Sequence, residues 1–245
     1  NELYALTYET DEDVYAWSRQ SIGSVQSIAT VPNGGMDRLW LVVERNGSYY
    51  IEYLTQFYRR TNDIENAIFV DSSLTYEGAE VGTITGLDHL EGETVNVLNN
   101  GCVEAPKVVE SGQITLTFPT TKCTIGLPII SAWQSMRIEG GASDGVGQGK
   151  AKRVSQVVFR LEETGAGFRY GKGNINKEFD QGQYSELPVR YTTDYMDAPP
   201  SLLTGDTERQ PMTGGSDSQY MLRIEHGEPV PCTVITAIMT VDTVQ

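Results

Sequence analysis

The stretch GLDHLEGETV, positions 86–95, concentrates residue types that chemistry uses. It holds His89, one of only two histidines in the chain, with Asp88, Glu91 and Glu93 around it. An imidazole among carboxylates is what a divalent metal or an acid–base pair requires. On a continuous strand His89, Glu91 and Glu93 would share one face, two residues apart, and form a fair metal triad. Gly86 and Gly92 bracket the segment, however, and Glu91-Gly92 is a turn pair. The two-residue period breaks at Gly92, while Leu87 and Leu90 read as apolar anchors that seat a turn on a core. Gly86, Leu87, Asp88, His89, Leu90, Glu91 and Gly92 are therefore expected to form a structural turn, with a metal site as the competing reading.

Other sites fit less well. In GVGQGKA, Gly149-Lys150 is followed by Ala151, and Asp144 stands where a phosphate-binding loop needs its first glycine. Asp11 and Asp13 lack the further oxygen ligands, glycine and glutamate of a calcium loop. With His89 and His226 as the only histidines and no GxSxG elbow, a nucleophile has no evident base. Cys102, Cys123 and Cys232 are three, widely spaced and without CxxC, which suits packed or free thiols better than zinc. Paired carboxylates remain possible in so acidic a chain, so a glycosidase is a minor alternative. No catalytic residue, metal or cofactor is expected.

The net charge of −15 over 245 residues argues against ordinary nucleic-acid binding, which needs cations to displace counterions from phosphates. No apolar run is long enough for a bilayer span. The first twenty residues carry neither a basic nor an apolar leader region, so no signal peptide is expected. A start at Asn1 leads us to expect a longer natural chain.

The elements that must position these residues read as strands almost throughout. LYALTYE, VYAWSRQ, VQSIATV and LWLVVERNGSYYIEYLTQF fill positions 1–61, the last folding back at Asn46-Gly47, a strong hairpin signal. They are expected to form one blade-sized antiparallel sheet. Positions 62–80 read as a linker with an extended piece at Phe69 and Val70. VGTITGL, ETVNVLNNG, CVEAPKVVESG, QITLTFP and KCTIGLPI then give five short strands, the pattern of a small barrel. With SAWQSMRIE extending out of it, that region spans 62–139. The remainder, 140–245, is expected to be an antiparallel region with glycine-rich loops at 140–150 and GAGFRYGKGN and a Pro/Gly-rich excursion at 198–218. In it RVSQVVFRLEET has Val154, Val157 and Phe159 facing a core, LPVRYTTDYM is a further strand, and the last two strands pair with RVSQVVFRLEE.

Several blocks, in order, resemble podovirus tail-nozzle proteins of the tail tubular B type: LTYETDEDVYAWSRQ, VQSIATVPNGGMDRLWLVVERNGSYYIEYL, IFVDSSLTYEG, GLDHLEG, TIGLPI, GQGKAKRVSQVVFRLEETGAGFRYG and HGEPVPCTVITAI. Segment 176–218 has no counterpart in that order, and further blade-like repeats would precede residue 1 in such a family member. The resemblance implies an all-β chain made of the end of a β-propeller, a small-barrel platform and a distal tip. It implies a homo-hexameric ring at the end of a short non-contractile tail, next to a tail adaptor ring of the tail tubular A type and to tail fibres. Phage DNA would pass through without specific binding; the protein would reside in the virion tail after assembly in the host bacterial cytoplasm. An acidic wall suits such a conduit, because it repels phosphates within a screening length of about 8 Å.

Loop gates are expected at Gly140, Gly141, Gly145, Gly147 and Gly149, and at Pro199, Pro200, Gly205, Gly214 and Gly215. The rival class is a receptor- or glycan-binding tail module using Tyr49, Tyr50, Trp133 or Tyr195.

Overall fold

The computed structural model describes residues 2–59, 63–139, 148–173, 184–188 and 198–244. Among them there is no α-helix, only two single turns of 3-10 helix, and the strand pairs are antiparallel. No described helix is long and apolar enough to cross a membrane. The chain forms two compact units, Asn1–Arg59 and Arg60–Gln245.

In the first unit β1 (Leu3–Glu9) and β2 (Val14–Gln20) coincide with the runs LYALTYE and VYAWSRQ. They make a two-stranded sheet of their own. β3 (Ser24–Asn33), β4 (Met36–Arg45) and β5 (Ser48–Tyr53) make a second, three-stranded sheet. The expected single sheet is thus split in two. Alternation gives strand identity but not which strands pair, and the Ile22-Gly23 break ends the first hairpin. The β4–β5 hairpin turns at Asn46 and Gly47, with φ of 49° and 80°. Both central residues left-handed is the turn that matches strand twist, which asparagine tolerates and glycine adopts freely.

In the second unit β6 (Val70–Thr85), β7 (Thr94–Asn99), β8 (Cys102–Val108) and β9 (Gln113–Pro128) lie in the order β6-β9-β7-β8. Two expectations change here. More than half of the supposed linker, 70–80, belongs to β6, and the last two of five short strands are one 16-residue strand, β9. Pro119 made β9 look broken. It falls in a bulge between Thr115 and Thr120, where residues 116–119 have no partner on β6 and no ladder donor is needed. The pairing closes no barrel among the described residues.

Among the described residues eight strands follow. They are β10 (Ser131–Gln134), β11 (Ala151–Thr164), β12 (Phe168–Lys172), β13 (Tyr184–Glu186), β14 (Leu203–Asp206), β15 (Gln210–Pro211), β16 (Leu222–His226) and β17 (Thr233–Val244). One sheet runs β10-β16-β12-β13; in the other β11 carries β17 on one side and β14 and β15 on the other. Only β17 of the last two strands pairs with β11; β16 joins the neighbouring sheet. β10, expected to extend outward, pairs with β16. GAGFRYGKGN, expected as a loop, contains strand β12, because its glycines hide two buried rings, Phe168 and Tyr170. LPVRYTTDYM lies largely outside the described residues.

Val154, Val157 and Phe159 of β11 are buried, the two-residue step widening to three at a register shift. Phe159 meets Phe168 and Tyr170 with ring centroids 4.9 and 5.2 Å apart, so the two sheets share one core. The Asn96 amide donates to the Gly227 carbonyl at 2.9 Å, joining that region to the β6–β9 sheet.

Candidate functional site

The 86–95 knot is a clasp. Leu87 and Leu90 are 0 and 1 % exposed, and between them Asp88–Leu90 forms one 3-10 turn, with Leu90 N–H donating to Leu87 O at 2.8 Å. The turn faces a second one at Ser111-Gly112, where both residues have positive φ, 56° and 67°. Leu87 N–H donates to Gly112 O at 2.9 Å, and the Glu91 carboxylate accepts from Ser111 and Gly112 N–H at 2.9 and 2.6 Å. Those amides, Gly112 above all, hold the Glu91 carboxyl below its ordinary range. A side chain at Gly112 would strike Asp88, whose Oδ1 lies 2.5 Å from where a Cβ would sit.

His89 turns elsewhere: its Nε2 lies 3.3 Å from the Ser72 carbonyl oxygen. His89 and Glu91 are therefore drawn to different backbone groups rather than to a common point. Among the described residues no three His, Cys, Asp or Glu side chains are placed to hold one metal ion. What this arrangement can do is fix two turns to each other.

Gly140, Gly141, Gly145 and Gly147 lie outside the described residues. Gly149 is in an exposed turn before β11, with φ +77°. Pro199 stands beside the Gly101 turn, and Pro200 lines a cleft of about 570 Å³ with Cys102, Glu186 and Leu202. Gly205 is within β14, and Gly214 and Gly215 lie between β15 and β16. The 198–218 excursion is stitched to β11: Thr207 N–H donates to Phe159 O at 2.8 Å, Met212 N–H to Ser155 O at 3.1 Å, and Asp217 and Lys152 exchange backbone bonds at 2.8 Å. The Lys172 ammonium, 2.7 Å from Asp217, holds that carboxyl low.

Sequence reasoning missed Glu104, a buried carboxylate on β8. Burial pushes its pKa up, but Thr117 N–H (2.9 Å), the Asn99 amide (2.7 Å) and Phe118 N–H (3.3 Å) outweigh that and hold it low. Nothing local in CVEAPKV announces these partners, which come from β7 and β9. The Cys123 thiol is pushed up to about 12 by burial and by the Glu104 charge, and Cys232 to about 11 by burial, so both stay protonated.

The first unit carries a different kind of site. Across β1–β2 one face pairs Tyr4 with Arg19, Leu6 with Trp17 and Tyr8 with Tyr15. Trp17 is 71 % exposed and the two tyrosines, 5.2 Å apart in an edge contact, about as open. In the three-stranded sheet Val25, Leu41 and Val43 form the buried face. Its opposite face sets Trp40 against Tyr53, Val42 against Ile51 and Glu44 against Tyr49, with Ile51 76 % exposed and the Arg38 guanidinium 4.4 Å over the Tyr53 ring. Tyr49 is on that open face. Tyr50 is on the other and half-buried. Trp133 on β10 is exposed, and Tyr195 lies outside the described residues. The ladder of Tyr4, Tyr8, Tyr15 and Trp17 was visible as period-two alternation in two adjacent runs.

Against known proteins, no family model matches this chain, and no curated protein matches it.

Proposed function

We propose that the chain is a structural subunit of a short-tailed phage tail nozzle, a sixfold ring whose axial channel retains and then conducts DNA. The observation that carries this reading is the first unit's open apolar faces. A three-stranded sheet with one apolar face buried and the other rich in exposed aromatic and aliphatic residues, in the same unit as a hairpin with an aromatic ladder, needs neighbours on its faces, as propeller blades do. The long bulged strands β6 and β9 support a platform that curls toward a barrel, since bulges bend strands. The net charge of −15 supports a wall that DNA slides past, and three cysteines outside any disulfide fit assembly in a reducing cytoplasm before incorporation in the virion tail. An adaptor ring and tail fibres are the neighbours this reading assigns.

Electron microscopy of the purified protein with symmetry analysis tests it: sixfold rings with an open channel are expected, and monomers or trimers overturn it. The gate is tested on 140–150, because deleting 198–218 would also strip β14 and β15 from β11. Filled particles lacking 140–150 should leak DNA; full retention removes that loop from the gate. A second reading, a saccharide-binding tail module, draws on the exposed Tyr49 and Trp133. Saccharide binding by a monomer or trimer, lost on Trp133→Ala, would favour it over the ring.

A further inference from the structure

Most open sheet edges of the second unit are blunted. β8 carries Pro106 and Lys107; β6 shifts register three times along its length. β10, β13, β14 and β15 have four, three, four and two residues. Short, kinked, charged or proline-bearing edges refuse a further strand. β17 is the least protected of these edges. It has 12 residues, TVITAIMTVDTV, with no glycine, no proline and a single charge, Asp242 near its end. One bulge, at Ile235, interrupts it; from Thr236 on, the remaining register shift lies on β11, at Ser155. β17 pairs with β11 alone, so its other side has no strand among the described residues. Ile235 and Ile238 are 58 and 55 % exposed.

We infer that the outer edge of β17 joins subunits, taking an extended strand from a second copy of this chain into the β11–β17 sheet. The identity of the neighbour rests on the ring reading above. The location rests on charge: copies that each carry −15 repel one another, so they meet where charge is sparse. Thr236–Val241 is uncharged, rich in β-branched residues and, among the described residues, paired along one side only, which is what strand addition requires.

The test is hydrogen exchange of the full chain across its assembly range, with the doubly substituted Thr236→Lys, Thr240→Lys chain beside it. Both threonines are exposed, so the variant monomer should melt with the native one. In the native chain, amides of 236–243 should slow as rings form; in the variant, the apparent dissociation constant should rise on the order of a hundredfold. Should the variant unfold, exchange in the native chain decides alone. Rings whose β17 amides exchange as in the monomer overturn the inference and leave the ring reading standing. Absence of rings at every concentration overturns that reading, and with it the second copy as occupant. Slowing that needs an added foreign protein also overturns the inference.

Discussion

The first unit buries three apolar residues, Val25, Leu41 and Val43, whereas the described residues of the second hold clusters of ten and eleven. Composition does not separate them, because both are built from alternating strands rich in Val, Ile, Tyr and Leu. The difference is how many apolar faces find a partner within the unit. In the second, β11 and β12 turn Phe159, Phe168 and Tyr170 toward one another. In the first, Tyr8, Tyr15, Trp17, Ile51 and Tyr53 face away from the unit's core. A sheet face gains about 25 cal/mol for each Å² of apolar surface removed from water, and that gain is missing wherever the face stays open. The second unit therefore holds its shape by faces closed on one another, a gain that the open faces of the first unit lack.

The comparison is tested most severely by cutting the chain between Arg59 and Arg60. Residues 60–245 alone should keep the main thermal transition, while 1–59 alone should show no cooperative melt in calorimetry, its core being too small to offset chain entropy. A cooperative transition in 1–59 would break the contrast. Next in size, Phe159→Ala should cost about 3–5 kcal/mol in denaturant titration, since it empties the shared centre of two sheets.

Acid provides a smaller lever on the second unit. Burial holds His226 neutral by pushing its pKa below the ordinary 6.5, although the bond to Ala166 O at 2.8 Å opposes this. Below pH 6.5 the unfolded chain takes up this proton before the folded one, so stability falls as pH drops from 6.5 through the folded value. His226→Gln should flatten that fall in melts between pH 7 and 5. Unchanged slope would remove His226 as its cause. The Glu104 contribution is lost lower, as pH falls from its ordinary 4.5. Smallest of all, Trp17→Ser should shift the dispersed chain's stability by no more than about 0.5 kcal/mol, while weakening assembly. A large loss measured on the dispersed chain would mean the face is already covered.

These regions were also unequally legible in sequence. β1 and β2 could be read to the residue, because alternation and flanking Asp/Gly punctuation are local, and so could the Asn46-Gly47 hairpin. The division into separate sheets could not, since alternation marks strands without saying whether neighbours such as β2 and β3 pair. β12 was hidden by the glycines around Phe168 and Tyr170. Leu87 and Leu90 were legible as apolar anchors from spacing alone. The partners of Glu91 were not, because they sit at Ser111 and Gly112, and Glu104 was invisible for the same reason.

That clasp between Glu91 and Gly112 bears on the order in which the second unit folds. It joins residues about twenty apart, whereas the outer end of the β6–β9 ladder must bring Val70 to Pro128. Closing the shorter loop costs less entropy, so the clasp is a contact the chain can make before the long ladder zips. We predict that Glu91→Gln slows refolding more than it speeds unfolding in stopped-flow experiments, and the opposite pattern would place the clasp late. A segment whose histidine and acids first invited a search for a metal would then act mainly in time, setting when this sheet takes shape.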